Sequence, residues 1–117
     1  MGRRSIPQSF SCAIAGIFYA LIMERNMKLH FLAAIGVIFG GSYLQISRME
    51  WGLIAFAVSL VIITEIINTA IEKTVDLITD QYHPLAKVAK NLAAGAVLVS
   101  ALNAIVVAVL VFGTRLG

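Results

Sequence analysis

The run from Leu92 to Thr114 contains no charged residue and no proline. It is longer than the roughly 20 apolar helical residues needed to cross the ~30 Å hydrocarbon core of a bilayer. Composition supports the same solvent for the rest of the chain. Hydrophobic residues make up 60% of its 117 residues and charged residues only 13%, against about 25% charged in an ordinary soluble domain. A soluble domain of this size still exposes much of its surface to water, and so few charges would leave that surface apolar and prone to aggregate. A disordered tail, a disulfide scaffold and a nucleic-acid-binding arm are excluded on the same grounds. The net charge of +3 is modest, and in a membrane protein a basic excess reports topology. Cys12 is the only cysteine, so no internal disulfide can form.

Two further stretches, Phe31 to Ser47 and Trp51 to Thr64, also carry no charge. Leu29 and His30 can extend the first. The second reaches spanning length only by taking in Glu65 and Asn68. Arg48-Met49-Glu50 reads as a short charged turn, and Asp80-Gln81-Tyr82-His83-Pro84 as a loop whose proline is suited to open the next helix. The pattern predicts an all-α integral membrane protein with spans over about 29–47, 51–79 and 86–114. Before them, Phe10, Ala13, Ile14, Ile17, Phe18, Leu21 and Ile22 recur at helical spacing opposite Ser9, Ser11, Cys12, Gly16 and Tyr19. That suits an amphipathic surface helix over about 6–24. A signal peptide is the competing reading, since Arg3-Arg4 precedes an apolar run, but the run is interrupted and no small-x-small cleavage site precedes Glu24.

The basic residues orient the chain. Arg25, Lys28, Lys73, Lys87 and Lys90 fall on one side, Arg48 and Arg115 on the other. The N-terminus and the second loop are expected in the cytosol and the C-terminus outside the cell membrane.

The acidic residues are few and grouped. Glu24, Glu65, Glu72, Asp76 and Asp80 fall towards the cytosolic side; only Glu50 does not. Glu65, Asn68, Glu72 and Asp76 follow one another at spacings of three, four and four, which places them within roughly 80° of one helix face. With Trp51 at the outer interface, Glu65 lies about 21 Å along the helix, inside the cytosolic leaflet. An ionisable residue there is costly and usually functional. The stripe runs from buried to wet, an arrangement that can join a lipid substrate at one end to a water-soluble cosubstrate at the other. Carboxylates with an asparagine suit a hard cation such as Mg²⁺, which takes oxygen ligands and often bridges phosphates. Glu24 can add a further oxygen, and Lys28, Lys87 and Lys90 can counter phosphate charge.

Taken singly, these residues could be structural: a lone Glu pairing with a Lys, or carboxylates simply solvated. Their common face and depth favour function. His30 and His83 have no metal-ligand spacing to a partner. Asn103 reads as an interhelical hydrogen bond and Ala93-Ala94-Gly95-Ala96 as a close packing face. Two other classes compete, an oligomeric channel or transporter lined by the stripe and an inert packing subunit. A pore would carry polar residues along the whole span, whereas Trp51 to Ile63 is nearly all apolar.

The segment Glu65-Ile-Ile-Asn68-Thr-Ala-Ile-Glu72-Lys-Thr-Val-Asp76 closely resembles the signature of the prokaryotic diacylglycerol kinase family, which includes the undecaprenol kinases. Tyr82-His83-Pro-Leu-Ala-Lys87-Val-Ala-Lys90, the small-residue run after it, and Glu24-Arg25-Asn26-Met27-Lys28 match as well. The Glu-Arg-Asn and His-Pro-Leu-Ala-Lys details look more like the undecaprenol kinase branch. The resemblance implies a homotrimer of three-span subunits, each with an N-terminal surface helix, and composite sites at subunit contacts near the cytosolic interface. It implies transfer of the ATP γ-phosphate to undecaprenol, or alternatively to diacylglycerol. Glu65 would be the general base, Glu24 and Glu72 would hold Mg²⁺ with ATP, and Asn68 would orient groups in the site. Asp76, Tyr82, His83 and Lys90 would lie on the nucleotide side. At two positions the chain departs from the family pattern: Asn91 stands where an Asp is usual, and Gln81 where some members have Glu. Asn91 removes a charge from the nucleotide side, which bears on nucleotide affinity or rate. No Gly-rich phosphate loop is present.

Overall fold

The computed structural model describes residues 3–116, which form four helices: α1 (Ile6–Met23), α2 (Arg25–Leu44), α3 (Arg48–Ile78) and α4 (Pro84–Leu116). Their ends follow from local chemistry. Ser5 and Gln8 form a reciprocal capping box at the start of α1, and Ser47 and Glu50 form another at the start of α3. Each box satisfies two backbone donors that a helix start would otherwise leave unpaired. The charged turn expected at Arg48-Met49-Glu50 is therefore the first turn of α3. At α4, the His83 ring nitrogen Nδ1 accepts the Leu85 N–H at 3.1 Å, and Pro84 opens the helix, where its missing N–H costs nothing.

The first break is sharper than its sequence suggests. One extended residue, Glu24 (φ −101°, ψ 120°), separates α1 from α2. Helix α2 therefore begins at Arg25 rather than near residue 29, and Arg25 to Lys28 form its first turn. The Glu24 carboxylate takes no part in capping. Helix α2 ends at Leu44, not 47, because Gln45 adopts the left-handed conformation (φ 54°, ψ 54°). The turn is closed by the Ile46 N–H donating to the Gly41 carbonyl at 3.2 Å, in the manner of a helix C-cap.

Helices α2, α3 and α4 run up, down and up, and α3 packs chiefly against α4. Midway, the Thr64 and Ser100 hydroxyls share a hydrogen bond of 2.7 Å between α3 and α4. At the end of the bundle holding the α2–α3 turn, Ile46, Ile54 and Val111 form a buried cluster, packed around by Trp51, Val107 and Phe112. Arg115 pairs there with Glu50, so the one acidic residue on that side both caps α3 and ties it to the end of α4. Of the small-residue run only Ala93 is buried, and Asn103 is exposed with no side-chain hydrogen bond among the described residues. The close packing and interhelical bond expected of those residues do not form among the described residues.

All four helices are long and apolar enough to cross a membrane, α1 with 18 residues only just. At ~1.5 Å per residue, the 31 residues of α3 extend about 46 Å, well beyond a ~30 Å hydrocarbon core. Helix α1 is tied to the bundle near its end, where Ala20 is its only buried residue. Its large apolar side chains, Phe10, Ile14, Ile17, Phe18 and Ile22 among them, are exposed.

Candidate active site

The polar face of α3 keeps its helical spacing in three dimensions, and burial falls along it. Glu65 is 2% exposed, Asn68 and Thr69 are buried, Glu72 is half-buried and Asp76 is exposed. Glu65 Oε2 accepts no hydrogen bond, and the nearest ionisable partner is His30 on α2, whose Nε2 lies 3.5 Å away. The Asn68 amide donates to Glu72 Oε1 at 3.0 Å, which fixes its rotamer, and its own Oδ1 is buried with no donor. Leaving a buried acceptor unmet costs about 1–3 kcal/mol. Two such oxygens, one helical turn apart on the same face, suit a site that receives a donor or a cation from a ligand.

Glu24 reaches the same end of the bundle. The Lys73 ammonium sits 5.9 Å from the centre of the Tyr19 ring, within cation–π range, which ties the end of α1 next to Glu24 to α3. No hydrogen bond or ion pair joins Glu24 to Glu72 among the described residues. What unites them is the C-terminal end of α3, reached by Glu24 through the bend between α1 and α2.

Beyond Asp76 the stripe opens into a cavity of about 240 Å³ at the α3–α4 turn. Asp76, Tyr82, His83, Lys90 and Asn91 all line it, so the residues expected on the nucleotide side are brought together. Lys90 Nζ donates to Asp76 Oδ1 at 2.8 Å across the mouth. The Gln81 N–H donates to the Thr79 hydroxyl at 3.2 Å and shapes the turn. A second cavity, of about 320 Å³, lies between α2, α3 and α4 and is lined by alanines and β-branched residues with His30 at its wall. One space is lined largely by charged and polar side chains, the other almost wholly by apolar ones. Glu65, Asn68 and Glu72 lie between them.

Comparison with known proteins gives this geometry a lineage. The prokaryotic diacylglycerol kinase pattern matches residues 11–112. The chain is 43% identical to the undecaprenol kinase of Bacillus subtilis (strain 168) over 109 residues, covering 93% of this chain and 89% of that protein. It is 43% identical to a diacylglycerol kinase of Synechocystis sp. over 100 residues, covering 85% of this chain and 57% of that protein. It is 32% identical to the diacylglycerol kinase of Escherichia coli (strain K12) over 91 residues, covering 78% and 75%. The chain belongs to the prokaryotic diacylglycerol kinase family. It is a lipid kinase and a membrane protein, with ATP as phosphate donor.

For this diacylglycerol kinase family member, the structure adds residues that sequence spacing did not single out. His30, set aside because it had no metal-ligand spacing, faces Glu65 instead. Thr79 lines the polar cavity beside the nucleotide-side set, together with Asp80 and Lys87, whose charges the sequence already draws attention to. The signal for the cavity residues was present in the clustering of polar residues around the turn. The signal for His30 was absent, since a pair formed between two helices has no periodicity to betray it. His83 also has a second task, as the cap of α4.

Proposed function

We propose that this kinase transfers the γ-phosphate of ATP to undecaprenol, giving undecaprenyl phosphate at the cytosolic face of the cell membrane. The observation that carries the reading is the burial gradient on α3, which leads from a polar cavity at the α3–α4 turn to a buried carboxylate whose His30 partner lines an apolar one. ATP would occupy the cavity at the α3–α4 turn, with Lys90 and Lys87 against its phosphates and Tyr82, His83 and Asn91 around the rest of the nucleotide. The lipid hydroxyl would reach Glu65 from within the membrane, and Glu65 would take its proton as the hydroxyl oxygen attacks the γ-phosphorus. Phosphoryl transfer requires mainly positioning and charge neutralisation, and the Asn68–Glu72 hydrogen bond provides rigid positioning.

The donor set fits Mg²⁺. Glu24 and Glu72 would hold it together with the ATP phosphates, and the unmet Asn68 Oδ1 is an oxygen of the right type. Among the described residues no three His, Cys, Asp or Glu cluster into a metal site, and Mg²⁺ is commonly held by one or two carboxylates plus substrate phosphates. When bound, the ion would neutralise phosphate charge.

In this reading α2, α3 and α4 span the membrane, and α1 lies along the cytosolic surface with its exposed apolar side chains among membrane lipids. The N-terminus is cytosolic, and three copies form a homotrimer whose subunit contacts complete each site. The Synechocystis relative favours a second reading, diacylglycerol as acceptor. A side-by-side assay of purified protein with Mg-ATP separates them: undecaprenol is expected to be phosphorylated faster. Phosphorylation of diacylglycerol alone establishes the second reading, and phosphorylation of neither lipid sinks both.

A further inference from the structure

We infer that His30 is a positioning residue for phosphoryl transfer, holding the Glu65 carboxylate towards the acceptor hydroxyl at the wall of the apolar cavity. The role rests on the reading of Glu65 as the base. Three observations meet at this residue. His30 Nε2 is the ionisable partner of a carboxylate oxygen that is otherwise buried and unmet. The two side chains differ in access, 26% exposed for His30 and 3% for Glu65. Finally, His30 is the one polar side chain among the residues lining the apolar cavity, whose other walls are Ala, Val and Ile. It therefore belongs both to the base and to the space a lipid chain can fill.

The chemistry is that of an oriented carboxylate. An imidazole N–H that engages Glu65 Oε2 leaves the other oxygen to accept the hydroxyl proton, the same division of labour by which a carboxylate and a histidine orient one another elsewhere. The separation of 3.5 Å is longer than an ordinary hydrogen bond, as catalytic hydrogen bonds often are before substrate is bound. In the step itself the acceptor oxygen forms its bond to the γ-phosphorus while the bond from that phosphorus to the β–γ bridging oxygen breaks. The hydroxyl proton goes to Glu65, ADP leaves with the electron pair, and His30 keeps its proton throughout. Glu65 then releases its proton to water before the next turnover. A lipid chain seated in the cavity along Ala33, Ala34 and Ala101 passes His30 on its way to the base, so the same imidazole registers the substrate and aims the carboxylate.

The test uses the full-length protein with undecaprenol and Mg-ATP and compares wild type with His30→Leu, His30→Gln and His30→Asn. The Gln amide reaches about as far as Nε2, and the Asn amide stops short. His30→Leu and His30→Asn are expected to lose about tenfold or more in kcat with KM for Mg-ATP unchanged, and His30→Gln to recover most of the rate. Equal activity in the Gln and Asn variants overturns the role, even where the Leu variant fails to fold. So does a Leu variant with wild-type kcat. A wild-type chain inactive on both lipid alcohols removes the functional reading and this role together, whereas an active wild type with indifferent His30 variants removes this role alone.

Discussion

Lys90 Nζ lies 2.8 Å from Asp76 Oδ1, joining the first turns of α4 to the last turns of α3 across the polar cavity. Both side chains are substantially exposed, 41% and 58%, and such pairs contribute only about 0–1 kcal/mol. Their worth must then be sought in ligand binding. Asp76→Asn and Lys90→Met are each expected to raise KM for Mg-ATP or lower turnover by at least about tenfold, one full unit of log affinity. The midpoint of thermal unfolding should move by only a few degrees. Kinetics and unfolding measured on the same detergent preparations check the split, and parallel losses of both would assign the pair to the fold.

Asn68 makes the opposite exchange. Its side chain is buried, and its Oδ1 has no donor among the described residues. Replacing it with Leu removes an unmet acceptor and leaves Glu72, already half-buried, without one donor. The net change in stability is expected to stay within about 1 kcal/mol, since removing an unsatisfied group relieves a cost of that order. Activity should fall about 100-fold or more, because the variant loses both the oxygen offered to the site and the hydrogen bond that positions Glu72. Turnover of the lipid and the unfolding midpoint, measured together, decide it.

Glu65→Gln tests the base itself. The substitution keeps shape and burial and removes the ability to hold a proton. General bases contribute typically 10²–10⁴-fold, so turnover should drop by about that factor with oligomeric size and helicity intact. A Gln variant with undiminished turnover would remove Glu65 as the base.

Much of this site was legible because it lies on one helix. The spacing of Glu65, Asn68, Glu72 and Asp76 is a property of 3.6-residue periodicity, and so is their common face. The apolar runs report the bilayer, and the clustering of polar residues between Asp76 and Asn91 reports the turn. What could not be read was tertiary. His30 and Glu65 meet only because α2 packs against α3, and no local pattern links them. The α1–α2 bend rests on one extended residue, Glu24, with no glycine or proline to mark it. The end of α2 is set by Gln45 in a left-handed conformation, which glycine or asparagine signals more often. The small-residue run misled because only Ala93 of its four residues is buried, while Ala94 and Ala96 are exposed.

The far end of the bundle offers a prediction in which fold and chemistry separate. Gly41 is buried against the Trp51 ring, and a Cβ built there would stand 2.7 Å from Trp51 Cη2 and 3.0 Å from Ile46 Cδ1. Both neighbours are held, the Ile46 side chain within the buried cluster it forms with Ile54 and Val111 and Trp51 packed against that cluster. Neither can retreat without disturbing the α2–α3 turn, so Gly41→Ala overpacks this buried cluster. The expected cost is about 1–3 kcal/mol, seen as a lower unfolding midpoint in detergent. Gly41 lies far along α2 from His30 and the carboxylates, so KM for Mg-ATP and kcat measured well below the transition should stay near wild type. Gly36 has nothing within 4 Å of an added Cβ, and Gly36→Ala is the matched control. It removes backbone freedom from the unfolded chain without a clash, so it should hold or slightly raise the midpoint. Equal midpoints for the two variants would show that Trp51 does not pack on Gly41 as described.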